Sequence, residues 1–574
     1  AWKALMHTMD AGTLGGDAGT WTFLLVLLFA TIGGLFVVSA LIGVLNQGFG
    51  QLLEQLRRGK SAVVEKDHTV ILGWGPKIFT LLHELAEANK NVRNACVVIL
   101  ADRDKVEMDA EIAQAMKGKK LRVVTRRGSA MSMADVGLVG LVTSKAVIVL
   151  APERDSNGTP LAPHESDTVV LKTLLAVGKI GAGANLHIVA EIFDERTEPV
   201  ARLVVGDKAA LILAAPLVSR LLVQTGRQSG LSVVYTELLD FEGVEIYVKE
   251  EPRLAGKTFR EAVFAYGTST VLGVIAKHDE MLLPPPVDYV LAAGDRIVAI
   301  SEDDDTLILD GAGTIDDAAV LPQPLAVPRS AERTLVLGTS QRLPLVLREL
   351  DSYVAPGSET LVYGEAGQAA LPARALETLQ NMKVTIEEGD VTDRGLLASL
   401  DIARFDHILV LSEIEGRTQE MADARTTVTL LFLRELERLA GKKVPITSEI
   451  LEIQSRDLAA VAEADDFIVS NTLVSLMVSQ VAENRHLVRV FDELFTAGGY
   501  ELYLKPAADY VKPGATTFGT VCESALRRSE IAIGYRLATS ARDPAASYGV
   551  VVNPDKRGKV TLGEADRVIV MAES

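Results

Sequence analysis

Thr69 to Gly75 read TVILGWG, an apolar run that stops at a pair of glycines, and Thr334 to Ser340 repeat it as TLVLGTS. Unbroken Val/Ile/Leu runs of this length read as strands buried on both faces. Four further echoes keep the same order at an offset of about 260 residues, the mark of an internal duplication. AVIVLAPE (Ala146–Glu153) returns as HILVLSEI (His407–Ile414), and IVAEIFDE around Glu191 returns as ITSEILEI around Glu449. EIYVK from Glu245 returns as ELYLK from Glu501, and GDRIVAI around Asp295 as EADRVIVMA around Asp566. Helical stretches such as Phe79–Asn89, Asp167–Ala176 and Ala422–Leu439 lie between the strand-like runs. Strands alternating with helices give an α/β unit around a parallel, doubly wound sheet. Each copy closes on a shorter β-rich segment, from about Leu239 and about Ala497. The Pro/Gly-rich stretch Gly311–Ser330 separates the copies as a linker.

Glycines between a strand and a helix let a phosphate approach the backbone and the helix N-terminus, so Gly73 and Gly75, followed by Pro76, are candidate nucleotide-binding residues. The third position of a GxGxxG fingerprint is Ile78, and the acid expected about 20 residues on, Asp102, comes late. A tight β–α turn without ligand is the alternative. The second copy keeps one glycine, Gly338, with Glu365 after the next strand, and is expected to bind no nucleotide. Asp102, Asp104, Glu153, Asp155, Glu191 and Asp194 end strand-like runs, and such a rim offers oxygen ligands to a hard cation when it is not simply solvated. The candidate metal set is Asp102, Asp104, Glu153 and Glu191. Arg126 and Arg127 follow a third strand and can pair with those carboxylates or with a phosphate. Glu302–Asp305 reads as a solvated acidic loop.

Upstream, Trp21–Leu45 reads WTFLLVLLFATIGGLFVVSALIGVL without a charge. As a helix it spans about 37 Å, enough for a hydrocarbon core of about 30 Å, and it exceeds the apolar core of a signal peptide. Arg57, Arg58, Lys60 and Lys66 follow it and only Lys3 precedes it, which places the long C-terminal part in the cytosol. The chain opens on Ala1 rather than Met, and the expectation is of further membrane helices upstream. Gly33-Gly34 inside the run reads as a hinge or as a close helix contact. Gly48 and Gly50 are expected to loosen the link to the first repeat. The preceding AWKALMHTMDAGTLGGDAGT, semi-polar and then Gly-rich, suits a re-entrant pore loop.

At 574 residues the chain is too long for one core. A net charge of −18 argues against nucleic-acid binding. The two cysteines, Cys96 and Cys522, make no disulfide framework or metal site, which fits a reducing compartment. No Ser/His/Asp, Cys/His or HExxH arrangement is present, which counts against an enzyme.

The combination resembles the CASTOR/POLLUX channels. The residues that carry the resemblance are Thr8-Met9-Asp10-Ala11-Gly12, the stretch from Val63 to Trp74 (VVEKDHTVILGW) and Leu100 to Lys105 (LADRDK). Arg127-Gly128-Ser129 and Ser144 to Ala151 (SKAVIVLA) add to them; the likeness is strongest over residues 1–250 and lies at the level of fold beyond Ala331. It implies a homotetrameric cation channel, permeable to calcium, potassium or both, set among membrane lipid. Its tandem RCK domains (regulators of potassium conductance) would form a cytosolic gating ring. The implied organisation is a pore helix and filter at 1–20, an inner helix and gating linker at 21–58 and a first RCK domain at 67–310. Within that domain the Rossmann lobe is 67–235 and the C-terminal lobe 239–310. A linker at 311–330 and a second RCK domain at 331–574 follow, the latter divided into 331–490 and 497–574. Thr8, Met9, Asp10, Ala11 and Gly12 would form the filter, and four Asp10 carboxylates around an axis favour cations, divalents included. Gly73, Gly75, Asp102 and Arg127 would hold a regulatory nucleotide, or the rim carboxylates a regulatory calcium ion, in the first RCK domain. The rival readings are a nucleotide-sensing regulatory subunit of a cation transporter and a membrane-anchored NAD-dependent oxidoreductase.

Overall fold

The computed structural model describes Met6, Thr8, Gly16 and residues 18–57, 59–155, 159–206, 209–323, 330–365, 376–452, 466–495 and 499–573. Residues Trp21–Arg57 form a single helix of 37 residues, and its Trp21–Asn46 segment is apolar enough to cross a membrane. Leu27, Thr31 and Gly34, one helical face, are buried, while Phe29 and Phe36 on other faces are largely exposed. An apolar surface of that extent is stable only against lipid or other protein. The helix continues unbroken through Gly48 and Gly50, so these glycines do not loosen the link as the sequence suggested. Hydrogen bonds on both sides of each glycine hold the backbone helical, and the conformational cost of about 1 kcal/mol per glycine does not break a helix this long.

The first repeat is a six-stranded parallel sheet of β1 (Thr69–Leu72), β2 (Cys96–Ala101), β3 (Arg122–Arg127), β4 (Ala146–Val149), β5 (Ile188–Ile192) and β6 (Ala209–Leu213). Its order is β3-β2-β1-β4-β5-β6, with β1 and β4 adjacent at the switch point where ligands of such sheets bind. The central strands are buried along their whole length, as their unbroken apolar runs require. The second repeat builds the same sheet in the same order from Arg333–Leu337, Ser358–Gly364, Met382–Glu388, His407–Val410, Ile446–Ile450 and Asp466–Val469. Each repeat adds a four-stranded antiparallel sheet, beginning at Glu245 and at Tyr500.

The last helix of each Rossmann unit is exchanged. Ala214–Arg227 leaves β6 and packs on the second sheet and on helix Leu343–Tyr353, where Gln224 Nε2 donates to Tyr353 Oη at 3.0 Å. Ser470–Glu483 leaves the second sheet and packs on the first, where His187 Nε2 meets the Val481 carbonyl at 2.6 Å. One continuous apolar core therefore runs through both repeats.

Glu84, on helix Lys77–Ala88 of the first repeat, is buried where this core meets the antiparallel lobe and accepts the Phe241 N–H at 3.2 Å. Burial, with Asp240 close by, pushes its carboxyl up to about 8. Unfolded, it titrates near 4.5, so folding takes up a proton across the window from 4.5 to about 8. This contribution to stability is full below that window and falls as pH rises through it. The Glu84→Gln protein should therefore gain on the order of 4 kcal/mol over the parent at pH near 8 and almost nothing near pH 4.5. Thermal midpoints of the two proteins across that range check it; parallel curves would refute the assignment.

Candidate functional site

At the end of β1, Gly73 takes φ +119°, a region that favours glycine, and its N–H bonds the Leu100 carbonyl at 3.0 Å. Gly75 follows with open space on its Cβ side, and helix Lys77–Ala88 starts directly after Pro76. Gly73, Gly75, Asp102 and Arg127 all stand on the C-terminal edge of the sheet, at the ends of β1, β2 and β3. Asp102 is exposed, and the Arg103 guanidinium lies 5.2 Å from the centre of the Trp74 ring between the two glycines.

Beside the glycines is a charge that sequence reading missed. Lys77, in the first turn of the helix, turns inward, with Nζ 2.5 Å from Glu191 and 3.4 Å from Glu153. Lys77 and Glu191 are fully interior, the ammonium lies over the Phe193 ring, and Glu191 also accepts the Ala151 N–H at 3.3 Å. Burial pulls the lysine pKa down, but the two facing carboxylates outweigh it and hold the ammonium above its ordinary value. Glu153 in turn accepts from Gln419 of the second repeat at 2.6 Å, so the cluster joins the repeats. The second repeat repeats the device. Arg342 binds buried Glu449, which also accepts from Ser470 Oγ at 2.5 Å and from the Ser412 N–H at 3.3 Å. The available signal was the echo of Glu191 in Glu449; a cation beside each glycine turn, at Lys77 and Arg342, completes it.

The expected cation set Asp102, Asp104, Glu153 and Glu191 is not brought together. Asp102 and Asp104 follow β2, whereas Glu153 follows β4 and Glu191 lies in β5, two and three strand spacings away, or about 10–15 Å. Asp104 instead caps helix Lys105–Ala115 through the Val106 and Glu107 N–H groups and lies 3.8 Å from Arg127. Among the described residues the close carboxylate group is Asp303, Asp304 and Asp305. In the second repeat Glu365 pairs with Arg417 and, at 3.0 Å, with Arg425, which also reaches Asp390 at 2.8 Å. That edge is closed by its own cations, whereas Asp102 stays open to solvent.

At the membrane end, Thr8 is half-buried against the long helix, and Met9, Asp10, Ala11 and Gly12 lie outside the described residues. Gly33 and Gly34 differ. A Cβ on Gly33 would meet nothing, while one on Gly34 would lie 2.8 Å from the Thr8 carbonyl carbon and closer still to Thr8 Cα.

Comparison with known proteins agrees with this architecture. The family described as "Castor and Pollux, part of voltage-gated ion channel" matches residues 215–314. The probable ion channel POLLUX of Arabidopsis thaliana is 30% identical, over 100% of this chain and 72% of its own length. The ion channel CASTOR of Lotus japonicus is 29% identical, over 100% of this chain and 70% of its own. The human SLO3 gating ring superposes with a TM-score of 0.62 over 88% of this chain and 99% of that one, at 15% identity, so the tandem repeats share the fold of a gating ring. The relatives are channels, not enzymes, which removes the oxidoreductase reading. With two parallel-sheet repeats behind an apolar N-terminal helix and 30% identity to the Arabidopsis channel along the whole of this chain, the chain belongs to the CASTOR/POLLUX family of ion channels.

Proposed function

We propose that this chain is the subunit of a homotetrameric, ligand-gated cation channel permeable to calcium, potassium or both. In this reading residues 1–20 carry the pore helix and filter, 21–58 the inner helix and linker, and 67–310 and 331–574 two cytosolic RCK domains divided as above. The observation that supports it is the close approach of Thr8 to Gly34 on the apolar helix. Four Asp10 carboxylates would ring the axis and attract cations. A regulatory ligand, calcium or a nucleotide, would act at the open edge of the first repeat, where Gly73, Gly75, Asp102 and Arg127 stand. It shifts the ring only by binding two ring shapes unequally. Asp10→Asn should shift the reversal potential under opposed calcium and potassium gradients, measured on the full-length protein in planar bilayers. An unchanged potential would take Asp10 out of the permeation path.

A further inference from the structure

Between the long helix and β1, residues 59–67 lie along the edge of the first sheet. Exposure alternates as it does on a strand with one covered side: Ser61, Val63 and Glu65 are half-buried, and Ala62, Val64 and Lys66 exposed. The Arg127 N–H reaches the Gly59 carbonyl at 3.3 Å, Arg126 Nε the Ser61 carbonyl at 2.7 Å, and Arg122 the Glu65 carboxylate at 2.6 Å. On the other side the Val63 N–H meets the Leu138 carbonyl at 2.7 Å, and the Asp67 N–H meets the Thr143 carbonyl at 2.8 Å.

We infer that residues 59–67 form a strap belonging to the first repeat's body, with Arg126 the positioning residue that couples ring movement to the helix. The inference rests on the ring-driven gating proposed above. The helix is unbroken to Arg57 and the strap is bound from Gly59, so little free chain lies between the two bodies. A displacement of β3 then reaches the helix undiminished, because the strap carbonyl is held by a charged, half-buried donor rather than by water. Without Arg126 the strap yields before the helix moves.

The test uses the full-length tetramer, with calcium added on the ring side as the probe. In the parent the Val63 and Asp67 amides should exchange as slowly as those of β3. In Arg126→Ala they should exchange about tenfold faster, the worth of one hydrogen bond to a charged group. The calcium response of open probability should flatten while unitary conductance and reversal potential stay unchanged. Arg126→Lys, which keeps a donor, should restore part of the response. Val63→Pro removes a strap donor without touching the sheet and should reproduce the faster Asp67 exchange and the flattened calcium response of Arg126→Ala. A full calcium response from either loosened variant would overturn the coupling role. Fast strap amides in the parent would overturn the strap itself. Slow parent amides with no calcium response would overturn calcium gating of the ring and leave the strap established.

Discussion

Lys77→Met should destabilise the cytosolic part by about 3–5 kcal/mol, the usual cost of removing one partner from a buried ion pair. The Glu191 carboxylate is 1% exposed, and without the ammonium it keeps only the Ala151 N–H at 3.3 Å. Its alternatives are to take a proton or to open the interior to water. Glu153 loses a counter-charge at the same time, and its bond from Gln419 ties that loss to the second repeat. The thermal midpoint of the full-length protein should fall by several degrees. Adding Glu191→Gln should recover more than half of it, because a neutral amide still accepts the Ala151 N–H and carries no unpaired charge. If the double variant is as unstable as the single, packing around the lysine stem, and not charge, is what the site supplies.

Gly34→Ala should cut single-channel current sharply, and Gly33→Ala should leave it close to the parent's. The added methyl at 34 would press into the Thr8 backbone, which cannot yield without moving the filter candidate; overpacking of this kind costs about 1–3 kcal/mol. At 33 the methyl enters open space, and alanine favours the helix by about 1 kcal/mol. The pair separates two meanings of the glycines. A hinge would be stiffened by either change, and gating would slow in both variants. A close contact responds at 34 alone. Single-channel recording of both variants, with conductance and open probability read separately, decides between them.

The elements were legible because each is written in consecutive residues. TVILGWG and TLVLGTS mark equivalent first strands, and the uncharged Trp21–Leu45 run marks the membrane helix. The glycine turn at Gly73 and the strand-end acids were placed on the correct edge for the same reason. What the acids do there was not legible. Asp104 immediately precedes helix Lys105–Ala115 and is spent as its N-terminal cap, and Glu191 is claimed by a lysine whose inward turn depends on the packing of Phe193 and β5. The four candidate cation ligands lie on separate strands because distance along a sheet edge is set by strand order, and strand order is not a property of any single run.

By itself, then, the sequence determined the duplication, the parallel strands, the membrane-length helix and the family, since periodicity and local apolar content act within a few residues of one another. Only the tertiary structure decided that helices Ala214–Arg227 and Ser470–Glu483 change partners, that Lys77 and Arg342 neutralise the switch points, and that residues 59–67 are strapped to β3. These contacts join residues tens to hundreds of positions apart. Their energies depend on burial and desolvation, which exist only once both partners have left water.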